Sequence, residues 1–234
     1  MDNSKKLKSE KTAVILCGGK GTRLGTIGKK IPKTLVSVQG KEILWYIIKS
    51  LFKNKFNKII LPLGYKGNKI KNFIKKKFND HLDKIIFVET GLDTNIGKRI
   101  SLILPKVTSK NFLLLNGDAV FDLNLHKIFS SHINSKSNLT FLAGSITYPY
   151  GTIGMNRDKI IDFRRNLVYE ALKVKDNNNY VAFNYTGMSI ISTDLIRKFN
   201  KTIHKSKNFE KDFYTLAIRS KKVNLIRIKG FWHS

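Results

Sequence analysis

The sequence predicts an α/β protein built on a doubly wound, mostly parallel sheet with helices on both faces. Three observations carry this. Short, uniformly apolar runs recur through the first half of the chain, as expected of strands buried on both faces. Amphipathic segments, with apolar positions three and four apart, alternate with those runs. The first run, Thr12 to Leu16, breaks at once into Cys17-Gly-Gly-Lys-Gly-Thr-Arg-Leu24, a glycine-rich turn at the edge where such sheets bind ligands.

In order, Thr12 to Leu16 reads as the first strand, Ile43 to Phe52 as a helix, Lys58 to Leu61 as a strand and Lys69 to Phe78 as a helix. Ile85 to Val88 (strand), Ile96 to Leu104 (helix), Phe112 to Leu115 (strand), Leu125 to Ser131 (helix) and Leu139 to Ala143 (strand) continue the alternation. The second half is less regular. Gly151 to Met155 and Lys159 to Phe163 read as a hairpin turned by Asn156-Arg-Asp158, followed by a long apolar strand over Val181 to Ile191. Helices are expected from Asp194 and over Phe209 to Ile218, and a closing strand over Val223 to Ile228 points at Gly230-Phe-Trp-His-Ser234. The domain expectation is a polar tail over 1–11 and one domain over 12–234, with no internal repeat.

Composition narrows the function. With 234 residues and 41% hydrophobic content, the chain can bury one substantial core. The first eleven residues lack the apolar stretch of a signal peptide, and no later run reaches membrane-spanning length, so a soluble, cytoplasmic protein without a membrane partner is expected. A single cysteine excludes an internal disulfide, and five scattered histidines show no paired zinc-ligand spacing. The net charge of +28 raises polyanions as partners. The lysines, however, are spread along the chain, as in Lys69-Ile-Lys-Asn-Phe-Ile-Lys-Lys-Lys-Phe78, so no specific nucleic acid is expected and the basic surface would steer small acidic substrates.

Two clusters carry chemistry. In the glycine-rich turn, backbone N–H groups approach an anion closely, while Arg23 and the downstream Lys33 add full charges; the implied ligand is a nucleoside triphosphate. No Gly-x-x-x-x-Gly-Lys-Ser/Thr occurs, and Gly19-x-Gly21-x-x ends in Leu24, so this is neither a P-loop nor a dinucleotide fingerprint. The second cluster, Leu113-Leu-Leu-Asn-Gly-Asp118, ends an apolar strand in a carboxylate that would emerge at the same edge. Alone, such an aspartate is a helix cap or turn residue; beside the loop it can hold Mg²⁺ through oxygen.

Gly18-Gly-Lys-Gly-Thr-Arg-Leu24, Pro32-Lys33 and Asn116-Gly-Asp118 resemble the signature of the sugar-1-phosphate nucleotidyltransferases. Ile43-Leu-Trp-Tyr46, Gly64-Tyr-Lys-Gly67, Glu89-Thr-Gly91 with Gly97-Lys-Arg99, Tyr150-Gly-Thr152 and Gly230-Phe-Trp232 are similar to the glucose-1-phosphate cytidylyltransferase branch. The resemblance implies a Rossmann-like nucleotide-diphospho-sugar transferase fold with a small β-rich excursion on the sugar side. It also implies an in-line displacement, in which a sugar 1-phosphate oxygen attacks the α-phosphorus of an NTP and pyrophosphate leaves. CTP and glucose 1-phosphate, or a related sugar, are the implied substrates, Mg²⁺ the cofactor and a homo-oligomer the assembly. Carried over by motif, Arg23, Lys33 and Asp118 are catalytic, with Asp118 the metal ligand. Leu16, Gly18, Gly19, Gly21, Thr22, Gly97 and Gly117 join Arg23 and Lys33 around the nucleotide, and Gly151, Arg165, Tyr185 and Thr186 approach the sugar phosphate.

This sequence departs from the family in two places. Relatives carry a second metal-binding aspartate shortly after Gly-Phe-Trp, two positions beyond Ser234, so a missing C-terminal segment is expected. Asn166 stands where relatives have a lysine on the sugar phosphate, leaving Arg164 or Arg165 to supply the charge. A relative that binds nucleotide or sugar phosphate without turnover, and a basic nucleic-acid-binding protein, are the rival readings.

Overall fold

A computed structural model of the chain describes residues 10–19, 30–174 and 180–233. In chain order the strands are β1 (Thr12–Leu16), β2 (Ser37–Val38), β3 (Lys41–Glu42), β4 (Lys58–Leu63), β5 (Ile85–Glu89), β6 (Asn111–Asn116), β7 (Val120–Asp122) and β8 (Leu139–Gly144). They continue as β9 (Ile146–Tyr148), β10 (Thr152–Asn156), β11 (Lys159–Arg164), β12 (Leu167–Tyr169), β13 (Ala171–Val174), β14 (Tyr180–Ser192), β15 (Val223–Arg227) and β16 (Phe231–His233). The helices are α1 (Ile43–Lys53), α2 (Gly67–Lys77), α3 (Ile96–Ile103), α4 (Leu125–Asn134), α5 (Thr193–Lys198), α6 (Asn200–Lys205) and α7 (Phe209–Arg219).

The main sheet has the order β15-β8-β14-β6-β1-β4-β5, with β13 paired to β14. β1 is parallel to both β4 and β6, β4 to β5, and β15 to β8; β14 alone runs antiparallel, between β6 and β8. Successive strand residues point to opposite faces, and each strand feeds two cores. Ala13, Ile15, Ile59, Leu61, Leu113 and Leu115 join α1, α2 and α4 on one face. Val14, Ile60, Phe112 and Leu114 join α3, α5, α6 and α7 on the other. Continuous apolarity in these strands thus reflects burial on both sides, and the expected doubly wound sheet is what forms.

Small pairings lay beyond the reach of periodicity: β2 with β3, β9 with β12, and β7 with β16. Two- and three-residue strands carry no pattern of their own. The β10–β11 hairpin turns where Asn156-Arg-Asp158 placed it, with Asn156 opposite Lys159. Most of the 1–11 tail lies outside the described residues, but Glu10 accepts hydrogen bonds from Thr12 and Thr108 and meets Lys58 at 3.4 Å, which ties its end to the sheet. Among the described residues no helix is long and apolar enough to cross a membrane.

His132 on α4 is almost fully buried, with Nδ1 2.7 Å from Thr140 Oγ1 and Nε2 3.2 Å from Asn111 Oδ1. Burial pushes its pKa down to about 4. Above pH 6.5 both folded and unfolded states are neutral. As pH falls from there to about 4, the unfolded chain takes up a proton that the folded chain refuses, and stability is lost. Urea unfolding should therefore show a loss of up to about 3 kcal/mol across that window, and His132→Gln should flatten that part of the profile.

Candidate functional site

The site forms where the strand order reverses. From β1 the chain moves outward through β4 and β5, then crosses back to place β6 on the other side of β1. Ligands in open α/β sheets bind at this crevice, beyond the carboxyl ends of the strands. β1 and β6 end level, Leu16 opposite Asn116, and Gly117 N–H donates to Leu16 C=O at 3.1 Å. A Cβ on Gly117 would fall 2.6 Å from Thr34 Cγ2 and 2.8 Å from Leu16 O, so this close junction needs glycine. The junction sets Gly18 and Gly19, after β1, and Asp118, after β6, on one cleft of about 460 Å³.

Pro32, extended, precedes a single 3-10 turn over Lys33–Leu35, closed by Leu35 N–H to Pro32 C=O and Val36 N–H to Lys33 C=O. That turn presents Lys33 to the cleft, where Nζ meets Asp118 Oδ2 at 2.6 Å. The side chains are 37% and 30% exposed, so the pair contributes little to stability but orients both groups. Beside it, Thr34 is buried, and its hydroxyl finds no hydrogen-bond partner among the described residues. No group of three or more His, Cys, Asp or Glu forms a metal cage among the described residues. The donor set is one hard carboxylate beside an anion-attracting cation, which fits Mg²⁺, an ion that binds through one or two carboxylates plus waters and substrate phosphates.

A third element closes the cleft floor. Thr94 and Asn95 come from the β5–α3 connection and Ile96 and Arg99 from α3 itself, which Asn95 caps by accepting from Lys98 N–H. Arg99 is 4% exposed. Its guanidinium donates to Thr90 Oγ1 at 2.5 Å and to the carbonyls of Leu63 at 3.3 Å and Leu92 at 3.4 Å, with no ion-pair partner among the described residues. Burial pushes its pKa down, yet arginine stays charged, so a positive centre sits behind Gly18. Side chains at Gly18 and Gly64 would collide with this guanidinium; both glycines make room for it. Cys17, also lining the cleft, is buried with its thiol pKa pushed up to about 12 by burial, which leaves it inert.

The family model "Nucleotidyl transferase" matches residues 12–165, which include the β1 turn, the Lys33 segment and the β6 tip. The chain belongs to the nucleotidyl transferase family. It is 36% identical over 160 residues to a Bacillus subtilis protein named "Probable glucose-1-phosphate cytidylyltransferase", covering 60% of this chain and 63% of that one. It is 30% identical over 154 residues to a D-glycero-α-D-manno-heptose 1-phosphate guanylyltransferase of Aneurinibacillus thermoaerophilus, covering 65% and 66%. The chain thus spans just under two thirds of the length of these curated relatives. The structure of HddC from Yersinia pseudotuberculosis complexed with GMP-PN superposes with a TM-score of 0.65 at 22% identity, over 95% of this chain and 92% of that one, which shows the shared fold.

The residues that the family pattern suggested divide into three groups. Leu16, Gly18, Gly19, Lys33, Gly117 and Asp118 all line the cleft. Gly21, Thr22 and Arg23 lie outside the described residues. The others sit elsewhere. Gly97 packs α3 on α6, where a Cβ would run into the Ile203 carbonyl, so its small size serves helix packing. Tyr185 belongs to the core under α7, its hydroxyl 2.7 Å from that of Tyr214, and Thr186 is buried with its hydroxyl donating to Leu142 C=O. β14 bends between Tyr185 and Ser189, and Gly187, at φ +74°, leaves room for the Asn116 side chain. Gly151 lies against Phe163, and Arg165 is exposed just past β11; neither lines the cleft. β16 runs antiparallel to β7 with His233 opposite Val120, so its direction is toward the Asp118 tip.

Arg99, Asn116, Thr34 and the 94–96 segment were missed as site residues. Arg99 had a visible signal: Ile96, Ile100 and Ile103 set the apolar face of α3, and a charge at 99 falls on that face. Glycine substitutions separate packing from function. Gly97→Ala and Gly117→Ala should each lower the urea midpoint, by about 1–3 kcal/mol in stability, because backbone carbonyls block the new methyl. Gly19→Ala, which meets nothing within 4 Å, should stay within about 0.5 kcal/mol of the parent.

Proposed function

We propose that the protein is a sugar-1-phosphate nucleotidyltransferase, joining an NTP and a sugar 1-phosphate to give an NDP-sugar and pyrophosphate. The observation that carries this is the convergence of Gly18 and Gly19 after β1, Lys33 and Asp118 on one cleft at the switch point of the sheet. CTP is the favoured nucleotide, supported by the cytidylyltransferase-like motifs and the Bacillus subtilis relative. Glucose 1-phosphate or a related sugar phosphate is the favoured acceptor.

The chemistry asks for positioning and charge neutralisation rather than acid–base catalysis. Backbone N–H groups after β1 receive the phosphates, and Lys33 contributes a mobile point charge to the α-phosphate. Arg99 adds a fixed positive charge from below, with no ion-pair partner among the described residues. Asp118 would hold Mg²⁺, which supplies neutralisation of the charge on the phosphates. Before substrate arrives, the Lys33–Asp118 pair keeps each group in the cleft; on binding, the lysine exchanges its carboxylate partner for a phosphate oxygen.

Pyrophosphate release should be measured with each NTP, a panel of sugar 1-phosphates and Mg²⁺. Turnover is expected, fastest with CTP, and a folded protein silent across the panel would contradict the proposal. Lys33→Ala and Asp118→Asn should each reduce kcat about 10²–10³-fold. Their thermal midpoints should barely move, because the pair is part-exposed. Nucleotide binding by calorimetry without pyrophosphate release would instead favour a binding protein.

A further inference from the structure

Among the described residues six threonines are buried: Thr12, Thr34, Thr90, Thr140, Thr186 and Thr193. Five of them have the hydroxyl engaged. Thr12 donates to Glu10, while Thr90, Thr186 and Thr193 donate to the carbonyls of Leu63, Leu142 and Ser109, and Thr140 pairs with His132 Nδ1. Thr34 is the exception: it is 4% exposed, and its Oγ1 has no hydrogen-bond partner among the described residues. A buried hydroxyl in that state has given up its hydration for nothing in return, and native folds rarely keep one without a use.

Packing does not supply the use. Thr34 Cγ2 is the atom that closes on Gly117, where a Cβ would fall 2.6 Å from it, so the methyl makes the contact at the β1–β6 junction and the hydroxyl points elsewhere. Valine has the same branched shape and would serve that contact without a stranded polar atom. Ser50 and Ser109 carry buried hydroxyls in the same condition, but neither lines the cleft; Thr34 does, beside Lys33, Asn116, Gly117 and Asp118.

The position in the chain supplies the acceptor. Thr34 and Lys33 are successive residues of one 3-10 turn, and Lys33 Nζ is held at Asp118 Oδ2, 2.6 Å away. When the lysine exchanges that carboxylate for a phosphate oxygen, the other oxygens of the same phosphate arrive one residue from the Thr34 hydroxyl. Rotation about χ1 redirects Oγ1 between staggered wells and leaves the backbone of the turn as it is. Phosphate oxygens are charged, so the bond they accept is of the stronger, charge-assisted kind.

We propose that Thr34 is a phosphate-binding residue of the cleft: its hydroxyl donates to an oxygen of the nucleotide phosphate that Lys33 binds, and it stays unpaired until that phosphate arrives. The ligand rests on the nucleotidyltransferase reading, whereas the test reads binding rather than turnover. Titration calorimetry of the full chain with Mg²⁺ and each NTP compares Thr34→Val with the parent, and Thr34→Ala with Thr34→Ser; within each pair one member has lost the hydroxyl. That loss should weaken the tightest-binding NTP about tenfold in both pairs, while the urea midpoint without ligand stays level or rises. If Thr34→Val does not fold, the serine and alanine pair decides. Equal affinity with and without the hydroxyl would overturn the proposal. So would a ligand-free midpoint that falls in Thr34→Ala relative to Thr34→Ser, because the hydroxyl would then serve the empty fold. A parent that binds an NTP but releases no pyrophosphate contradicts the enzymatic reading alone, and the two pairs still decide the role of Thr34; a parent that binds no NTP overturns both.

Discussion

The level junction of β1 with β6 is the constraint on which the site depends. One backbone hydrogen bond, Gly117 N–H to Leu16 C=O, ends two adjacent parallel strands at the same height. The absence of a side chain at Gly117 lets that contact close against Thr34. Three parts of the cleft hang from this junction: Gly18 and Gly19 continue β1, Asp118 follows β6, and the turn carrying Lys33 packs on it through Thr34. Strand pairing fixes relative positions to a fraction of the distance between two reacting groups, which a loop by itself cannot do.

A second device sits beneath that junction. Arg99 is buried without a carboxylate among the described residues, an expense that three neutral acceptors on two connections only partly offset. Those acceptors join the end of β4, through Leu63, to the segment after β5, through Thr90 and Leu92. The guanidinium thus rivets two strand ends together while keeping its charge behind Gly18. Gly18 and Gly64 are glycines for this reason as much as for any contact with ligand. A glycine motif in this fold accordingly records what lies behind the backbone as well as what approaches from the front.

The β-rich excursion follows different rules. The main sheet buries its strands on both faces, and its residues are uniformly apolar. The β10–β11 ribbon alternates, and what it turns outward is the apolar side.

Much of the architecture was legible in the residues. Hydrophobic period distinguished strand from helix from Thr12 to Ala143, because burial on both sides of a sheet leaves short, unbroken apolar runs, whereas the covering helices space their apolar residues three and four apart. Gly18, Gly19 and Asp118 were legible as neighbours because each follows the carboxyl end of a strand, whereas Lys33 reaches the cleft from a 3-10 turn. By contrast, Gly97, Tyr185 and Thr186 matched the family's motif yet serve packing, and no local pattern separates a glycine that admits a ligand from one that admits a neighbouring helix. By itself the sequence determined which segments are the longer strands of the main sheet, which ends carry charge and that the chain belongs with phosphate-handling folds, since these depend on residues near one another. Only the tertiary structure decided that Arg99 underlies Gly18, that Tyr185 points into the core and that the ribbon's apolar face looks outward. Those depend on which distant strands become neighbours and in what register, and a one-residue shift in register exchanges the two faces of a strand.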